Sequence, residues 1–151
     1  FIKNSPSFYK LIFVMDIVDK RHYKVITNYI LQSKILHGVK IVPPNTREAL
    51  YDLYRNAALY IFPSLNETFG MTTLESMACG TPVVCSNLSA MPEVNGKAAI
   101  YFNPNDPIDM ANKIKLVLEN TKLYNKQINN GYRRINNFTW EMTACKTLDL
   151  F

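Results

Sequence analysis

Five short apolar runs recur along this chain, and the stretches between them are longer and amphipathic. Leu11 to Met15, Val39 to Val42, Leu59 to Phe62, Pro82 to Cys85 and Ala99 to Phe102 are rich in β-branched and aromatic residues. A run such as Leu11-Ile12-Phe13-Val14-Met15 has no polar residue at alternate positions, so both faces of the strand it forms need cover. Helices are expected between the runs over 21–37, 47–57, 70–79 and 107–120, and after them over 122–136 and 140–150. Strand alternating with helix predicts an α/β fold, a doubly wound parallel sheet of the Rossmann-like kind. No repeat, low-complexity tract or linker interrupts the 151 residues, a length suited to one domain with a proper core.

The helix ends carry their own signals. Asn45 with Glu48 reads as a capping box ahead of a face formed by Leu50, Leu53, Tyr54 and Ala57. Asp106-Pro107 combines an N-cap with proline at the first helical position, and Ala111, Ile114, Val117 and Leu118 follow at helical spacing. Gly80 stands where a helix needs a left-handed terminating residue, Pro82 blocks continuation, and Thr139 caps the last helix.

Composition narrows the function classes. The chain is 48% hydrophobic and 19% charged, with no apolar run near the ~18–20 residues of a membrane span and no secretory signal at its start. A cytoplasmic protein is expected. The net charge of +5 suits a polyanionic partner such as a nucleotide diphosphate. Lys113, Lys115, Lys122, Lys126, Arg133 and Arg134 make the tail basic, which fits the outer face of docked helices better than a membrane-surface helix; peripheral contact with the cytoplasmic membrane face stays open. Nucleic-acid binding has only net charge in its favour and is not expected. Cys79, Cys85 and Cys145 are read as small core residues in a reducing compartment. His22 and His37 lack partners at metal spacing and no Asp-x-Asp pair exists, so no metal and no cofactor are expected.

Chemistry concentrates between residues 67 and 84. The loop after the Leu59–Phe62 strand leaves the carboxyl end of a parallel sheet, where ligands of open α/β folds bind. It carries Glu67, and a helix opens near Gly70 with unpartnered amides and the positive end of its dipole, a seat for phosphate. Gly70 lacks a Cβ, which lets a ligand approach the main chain. Glu75, about five residues into that helix, shares a face with Met71 and Thr72. A carboxylate matches the vicinal hydroxyls of a ribose, and Glu67 could hold hydroxyls of a sugar beyond the phosphates.

These residues resemble the C-terminal, nucleotide-sugar-binding domain of GT-B-fold retaining glycosyltransferases, in the group 1 family whose signature is two glutamates separated by seven residues. Ala58 to Ser64, Glu67-Thr68-Phe69-Gly70 and Leu74-Glu75-Ser76-Met77-Ala78-Cys79-Gly80-Thr81-Pro82-Val83-Val84 carry the likeness. Ser86 to Val94, Tyr101 to Pro107 and Phe138-Thr139-Trp140-Glu141 continue it in order. It implies a transferase that moves a hexose from a UDP-sugar or GDP-sugar, with retention and without metal, to a glycan or lipid-linked acceptor in polysaccharide or lipopolysaccharide synthesis. By the same resemblance Glu67 is the catalytic, sugar-binding acid and Glu75 binds the ribose. Thr68, Phe69, Gly70, Met71 and Thr72 line the donor, and the base lies near Pro43-Pro44.

Departures from the family pattern are specific. Tyr9 to Met15 matches the family's second strand, so residues 1–151 are expected to be a donor domain lacking its first strand, the Arg and Lys that clamp the diphosphate, and the acceptor domain. Asp16-Ile17-Val18-Asp19 replaces a glycine-rich turn, Ile41-Val42-Pro43-Pro44 replaces Phe-Leu-Gly, and Lys97 stands where Asp is common. The alternative of another class is a non-catalytic nucleotide-sugar-binding or scaffold module of the same fold. A dehydrogenase is disfavoured because glycines at 38, 70, 80, 96 and 131 cannot form Gly-x-Gly-x-x-Gly.

Overall fold

The computed structural model describes residues 9–15, 19–33, 38–43 and 46–150. The chain divides into two compact units, Phe1–Leu50 and Tyr51–Phe151, each with its own parallel sheet. The parallel strands are as expected, but their hydrogen bonds form two sheets rather than one.

In the first unit β1 (Leu11–Val14) pairs with β2 (Val39–Val42), Leu11 opposite Val39 and Val14 opposite Val42. Helix α1 (Lys20–Gln32) joins them, and Asp19 caps it by accepting the amides of Arg21 at 2.8 Å and His22 at 3.3 Å. This helix is shorter than 21–37: it ends at Ser33, and residues 34–37, His37 among them, lie outside the described residues. So does Asp16. The expectation that β1 is covered on both faces fails, because Ile12 is 43% and Val14 39% exposed while Leu11 and Phe13 are half-buried. Only Ile30 of this unit's described residues is fully buried, so there is little core to cover a second face.

Helix α2 (Arg47–Asn56) crosses the boundary between the units. Its cap is Thr46, whose Oγ1 accepts the Ala49 amide at 3.2 Å. Asn45, expected in that role, lies outside the described residues.

The second unit orders its strands β3 (Tyr60–Phe62), β4 (Val83–Ser86), β5 (Ala99–Phe102), all parallel, with β4 central. Here the unbroken run behaves as read: Val83, Val84, Cys85 and Ser86 are all 0% exposed. Alternate β4 residues face opposite layers. Val83 and Cys85 pack with Leu74 and Met77 of α3 (Met71–Ala78) and with Met91 and Val94 of α4 (Met91–Asn95). Val84 packs with Phe102 and with Ile114 and Val117 of α5 (Pro107–Glu119). Each fully buried Val or Phe contributes about 1.5–3 kcal/mol relative to exposure. The unit is therefore wound on both faces, and α6 (Thr121–Ile135) and α7 (Trp140–Leu148) complete it. Helix α4 and the 3-10 turn Gly96–Ala98 after it carry no periodic signal in the sequence.

The expected caps at Asp106 and Thr139 are present, accepting from Ile108 and Asp109 and from Met142 respectively. Gly80 has φ 80°, with its N–H on the Met77 carbonyl and the Thr81 N–H on that of Ser76, the paired bonds that close a helix through a left-handed residue. The reading of all three cysteines as core needs correction: Cys85 is buried, Cys79 is partly so, and Cys145 is exposed on α7, which buries none of its residues. Among the described residues no helix is long and apolar enough to cross a membrane.

Candidate functional site

Strand β3 ends at Phe62, and the loop that follows from Pro63 leaves the carboxyl edge of the sheet to reach α3. Glu67 sits in this loop, half-buried. Its carboxylate turns back on its own segment: Oε1 accepts the N–H of Thr68 at 3.0 Å and of Phe69 at 3.4 Å. Oε2 has no partner among the described residues. Main-chain donors at Thr68 and Phe69 are thus shared with Glu67 itself.

Gly70 is the residue before α3, with φ 83° and ψ 47°. No side chain caps this helix. The Thr73 amide returns to the Gly70 carbonyl at 3.0 Å, whereas those of Met71 and Thr72 have no acceptor among the described residues. They stand at the positive end of the α3 dipole, an arrangement that accepts an anion. Packing gives a further reason for glycine here. Gly70 is buried, and a Cβ on it would overlap the methyl of Met91, a side chain 0% exposed. Close packing under the loop and the positive φ both disfavour a side chain here.

Glu75 is the fifth residue of α3, half-buried, and its carboxylate has no hydrogen-bond or ion-pair partner among the described residues. It stands by two tyrosines that pack edge to face, Tyr54 and Tyr60, with ring centroids 5.2 Å apart at 87°. Burial is the main cause raising the pKa of each hydroxyl. The hydroxyl of Tyr60 lies near that of Thr72, outside hydrogen-bonding geometry, and the Thr72 Oγ1 is buried without a partner among the described residues. Thr72 and Tyr54 oppose the rise at Tyr60, while the charges of Glu75 and Glu67 both add to it. Glu67 Cγ lies 3.4 Å from where a Cβ on Gly70 would stand, so that acid flanks the uncapped helix start, and Glu75 follows one turn into α3.

Two further contacts hold the loop. Ser89, between β4 and α4, takes the N–H of Glu67 at 3.2 Å and donates to its carbonyl at 2.7 Å. Phe69 meets Phe138 edge-on, centroids 5.6 Å apart at 86°, and the Arg134 guanidinium lies 5.1 Å from the Phe138 ring centroid. Arg134 also donates through Nε to the Val94 carbonyl at 2.7 Å and through a terminal nitrogen to that of Glu93. A cleft of about 400 Å³ borders Thr68 and Phe69 and is lined as well by Val94, Arg134, Phe138 and Lys146. Neither Glu67 nor Glu75 lines it.

Seven of the eight residues read as the site thus lie on one continuous segment from Glu67 to Glu75. Pro43 is exposed just past β2 in the first unit, and Pro44 lies outside the described residues. Sequence reasoning missed Tyr54, Tyr60 and Ser89. Two of these looked like ordinary apolar-face residues, and nothing in the local sequence tells that Ser89 reaches a residue 22 positions away. Among the described residues, no three His, Cys, Asp or Glu side chains are grouped so as to hold a metal ion.

The family model for "Glycosyl transferases group 1" matches residues 9–134. The chain belongs to that family. It is 35% identical over 104 residues to the O-antigen chain mannosyltransferase B of Escherichia coli, covering 69% of this chain and 27% of that protein. The chain spans 27% of that relative and 13% of the serotype-specific mannosyltransferase WbdA of Escherichia coli. Anabaena HepE, solved in complex with UDP, superposes with a TM-score of 0.84 at 21% identity, over 97% of this chain and 42% of that one. The C-terminal domain of a group 1 family protein from Francisella tularensis does so with a TM-score of 0.70 at 21% identity, over 81% of this chain and 64% of that domain. The fold is the α/β Rossmann-like arrangement with parallel sheets typical of GT-B glycosyltransferases.

Proposed function

We propose that this chain is the donor-binding, C-terminal domain of a retaining glycosyltransferase, one that moves a hexose from a UDP-sugar or GDP-sugar to a glycan or lipid-linked acceptor. The observation that carries the reading is the uncapped start of α3, where the amides of Met71 and Thr72 lack acceptors among the described residues, Glu67 Cγ lies 3.4 Å from the position of a Gly70 Cβ, and Glu75 follows one turn into the helix. Glu75, unpartnered, holds the ribose hydroxyls. The amides of Met71 and Thr72, with the dipole of α3, face the diphosphate. Glu67 offers Oε2 to the sugar. In the reaction the diphosphate gains charge as the glycosidic bond breaks, and donors already aimed at it stabilise that charge without reorganising. No step in this scheme uses a metal ion.

Family membership supports the transferase class, and the likeness to a structure holding UDP and to an isolated C-terminal domain supports the assignment to the donor half. The O-antigen mannosyltransferase supports lipopolysaccharide or related polysaccharide synthesis. A contact between Pro43 and the base rests on the resemblance alone. The acceptor site belongs to sequence outside this chain in the reading.

Calorimetric titration of UDP- and GDP-sugars into the full-length protein tests it. Glu75→Ala should weaken both the nucleotide-sugar and the bare nucleotide about tenfold or more, since each decade is ~1.4 kcal/mol and a charge-assisted bond is worth about 1.5–3. Unchanged affinity removes Glu75 from the site.

A further inference from the structure

Ser89 is the one residue other than glycine with positive φ among the described residues, at 57°. A side chain in the left-handed region persists where its surroundings over-determine it, and such outliers gather at functional sites. The surroundings of Ser89 are specific. Its single hydroxyl accepts the N–H of Glu67 at 3.2 Å and donates to the Glu67 carbonyl at 2.7 Å, with the Asn66 Oδ1 3.3 Å away. Both main-chain polar groups of the proposed sugar-binding acid are thus held by one side chain from a different loop. The remaining inter-loop bond is long: the Ala90 N–H reaches the Glu67 carbonyl at 3.4 Å. The anchor of Asn66 is local, its carbonyl accepting from Ser64 Oγ at 3.0 Å.

The carboxylate follows from the main chain. Glu67 Oε1 accepts the next two amides, so the direction of Oε2 depends on how the segment from Glu67 to Phe69 is set. The left-handed turn at Ser89 is what presents its Oγ to that segment. A glycine would adopt this backbone without strain and would hold nothing.

We propose that Ser89 is a positioning residue: its strained turn latches the Glu67 loop so that the free carboxylate oxygen meets the donor's sugar end. The proposal rests on the donor-site reading above. It predicts a defect confined to the sugar end, which a merely structural role would not produce.

The test measures affinities of a panel of UDP- and GDP-hexoses, and of UDP and GDP alone, for the full-length protein by calorimetry, with thermal melting alongside. The variants are Ser89→Gly, Ser89→Ala, Glu67→Ala and the Ser89→Gly/Glu67→Ala pair. Ser89→Gly removes the hydroxyl and the strain together, whereas Ser89→Ala removes only the hydroxyl, so folding and latching separate. Both should bind the nucleotide-hexose at least tenfold more weakly and the bare nucleotide within twofold of wild type. Ser89→Gly should melt at or above wild type. The pair should be no worse than Glu67→Ala within twofold, because a residue that acts through another adds nothing once that other is gone.

A Ser89→Gly variant that binds nucleotide-hexose normally while Glu67→Ala does not overturns the latch and leaves the donor site intact. Equal weakening of bare nucleotide, or a multiplicative pair, also overturns it. If Glu67→Ala itself binds normally, or wild type binds no member of the panel, the donor-site reading fails and takes the latch with it.

Discussion

Replacing Gly70 by alanine tests the geometry on which the helix start depends. Gly70 has φ 83°, a conformation that costs a residue with a Cβ roughly 1–2 kcal/mol. The added methyl would overlap Met91 Cε and stand 3.2 Å from its sulfur. Met91 is 0% exposed, so its methyl has little room to retreat, and overpacking of this kind costs about 1–3 kcal/mol. Together the change should destabilise the protein by roughly 2–5 kcal/mol, much of the ~5–15 that a domain has. With a urea slope of about 2 kcal/mol/M, a loss of ~3 moves the denaturation midpoint down by about 1.5 M. Urea titration of wild type, Gly70→Ala, Met91→Ala and the double variant divides the effect. Met91→Ala alone costs about 2–5 kcal/mol, and the double variant should cost about 1–3 less than the sum, since the methyl then enters space Met91 has vacated. A Gly70→Ala cost below about 1 kcal/mol refutes the left-handed assignment. Additivity within about 0.5 kcal/mol refutes the overlap with Met91.

Two further outcomes concern the sheet and its outer helix. Burial pushes the Cys85 thiol up to about 12 from 9.0, so the unfolded chain loses this proton first and stability falls as pH rises from 9 towards 12. Between pH 8 and 10 wild type should lose about 1 kcal/mol more than Cys85→Ala in denaturant titrations, and parallel pH profiles would show the thiol is not the cause. Asp106→Ala removes the acceptor of the Ile108 and Asp109 amides, at 2.9 and 3.1 Å, and should cost about 1 kcal/mol in the same measurement, with no change counting against the cap.

What was legible in the sequence follows from how local each signal is. Asp106, Thr139 and Gly80 act on amides or carbonyls within a few residues, so their roles are written in adjacent letters. The β4 run, buried on both faces, reads correctly for the same reason. Partition into two sheets does not, because it depends on which strand edges pair, and Ile12 and Val14 look no different from Val83 and Val84 until their covering layers are counted. Helix α4 spans five residues, too few for a periodic stripe to declare itself. At the site, the acids and the helix start were visible as spacing. The Tyr60 ring beside Tyr54 and the Ser89 hydroxyl on the Glu67 main chain were not, since each meets residues distant in sequence or on another element.

The stack of Arg134, Phe138 and Phe69 has a practical consequence for anyone trimming this chain. The family match stops at residue 134, yet Phe138 is the ring that Phe69 meets edge-on. A fragment trimmed to the homology boundary would keep the guanidinium and discard the ring between it and the loop. The smallest piece that preserves the native surroundings of the signature motif therefore extends past Phe138.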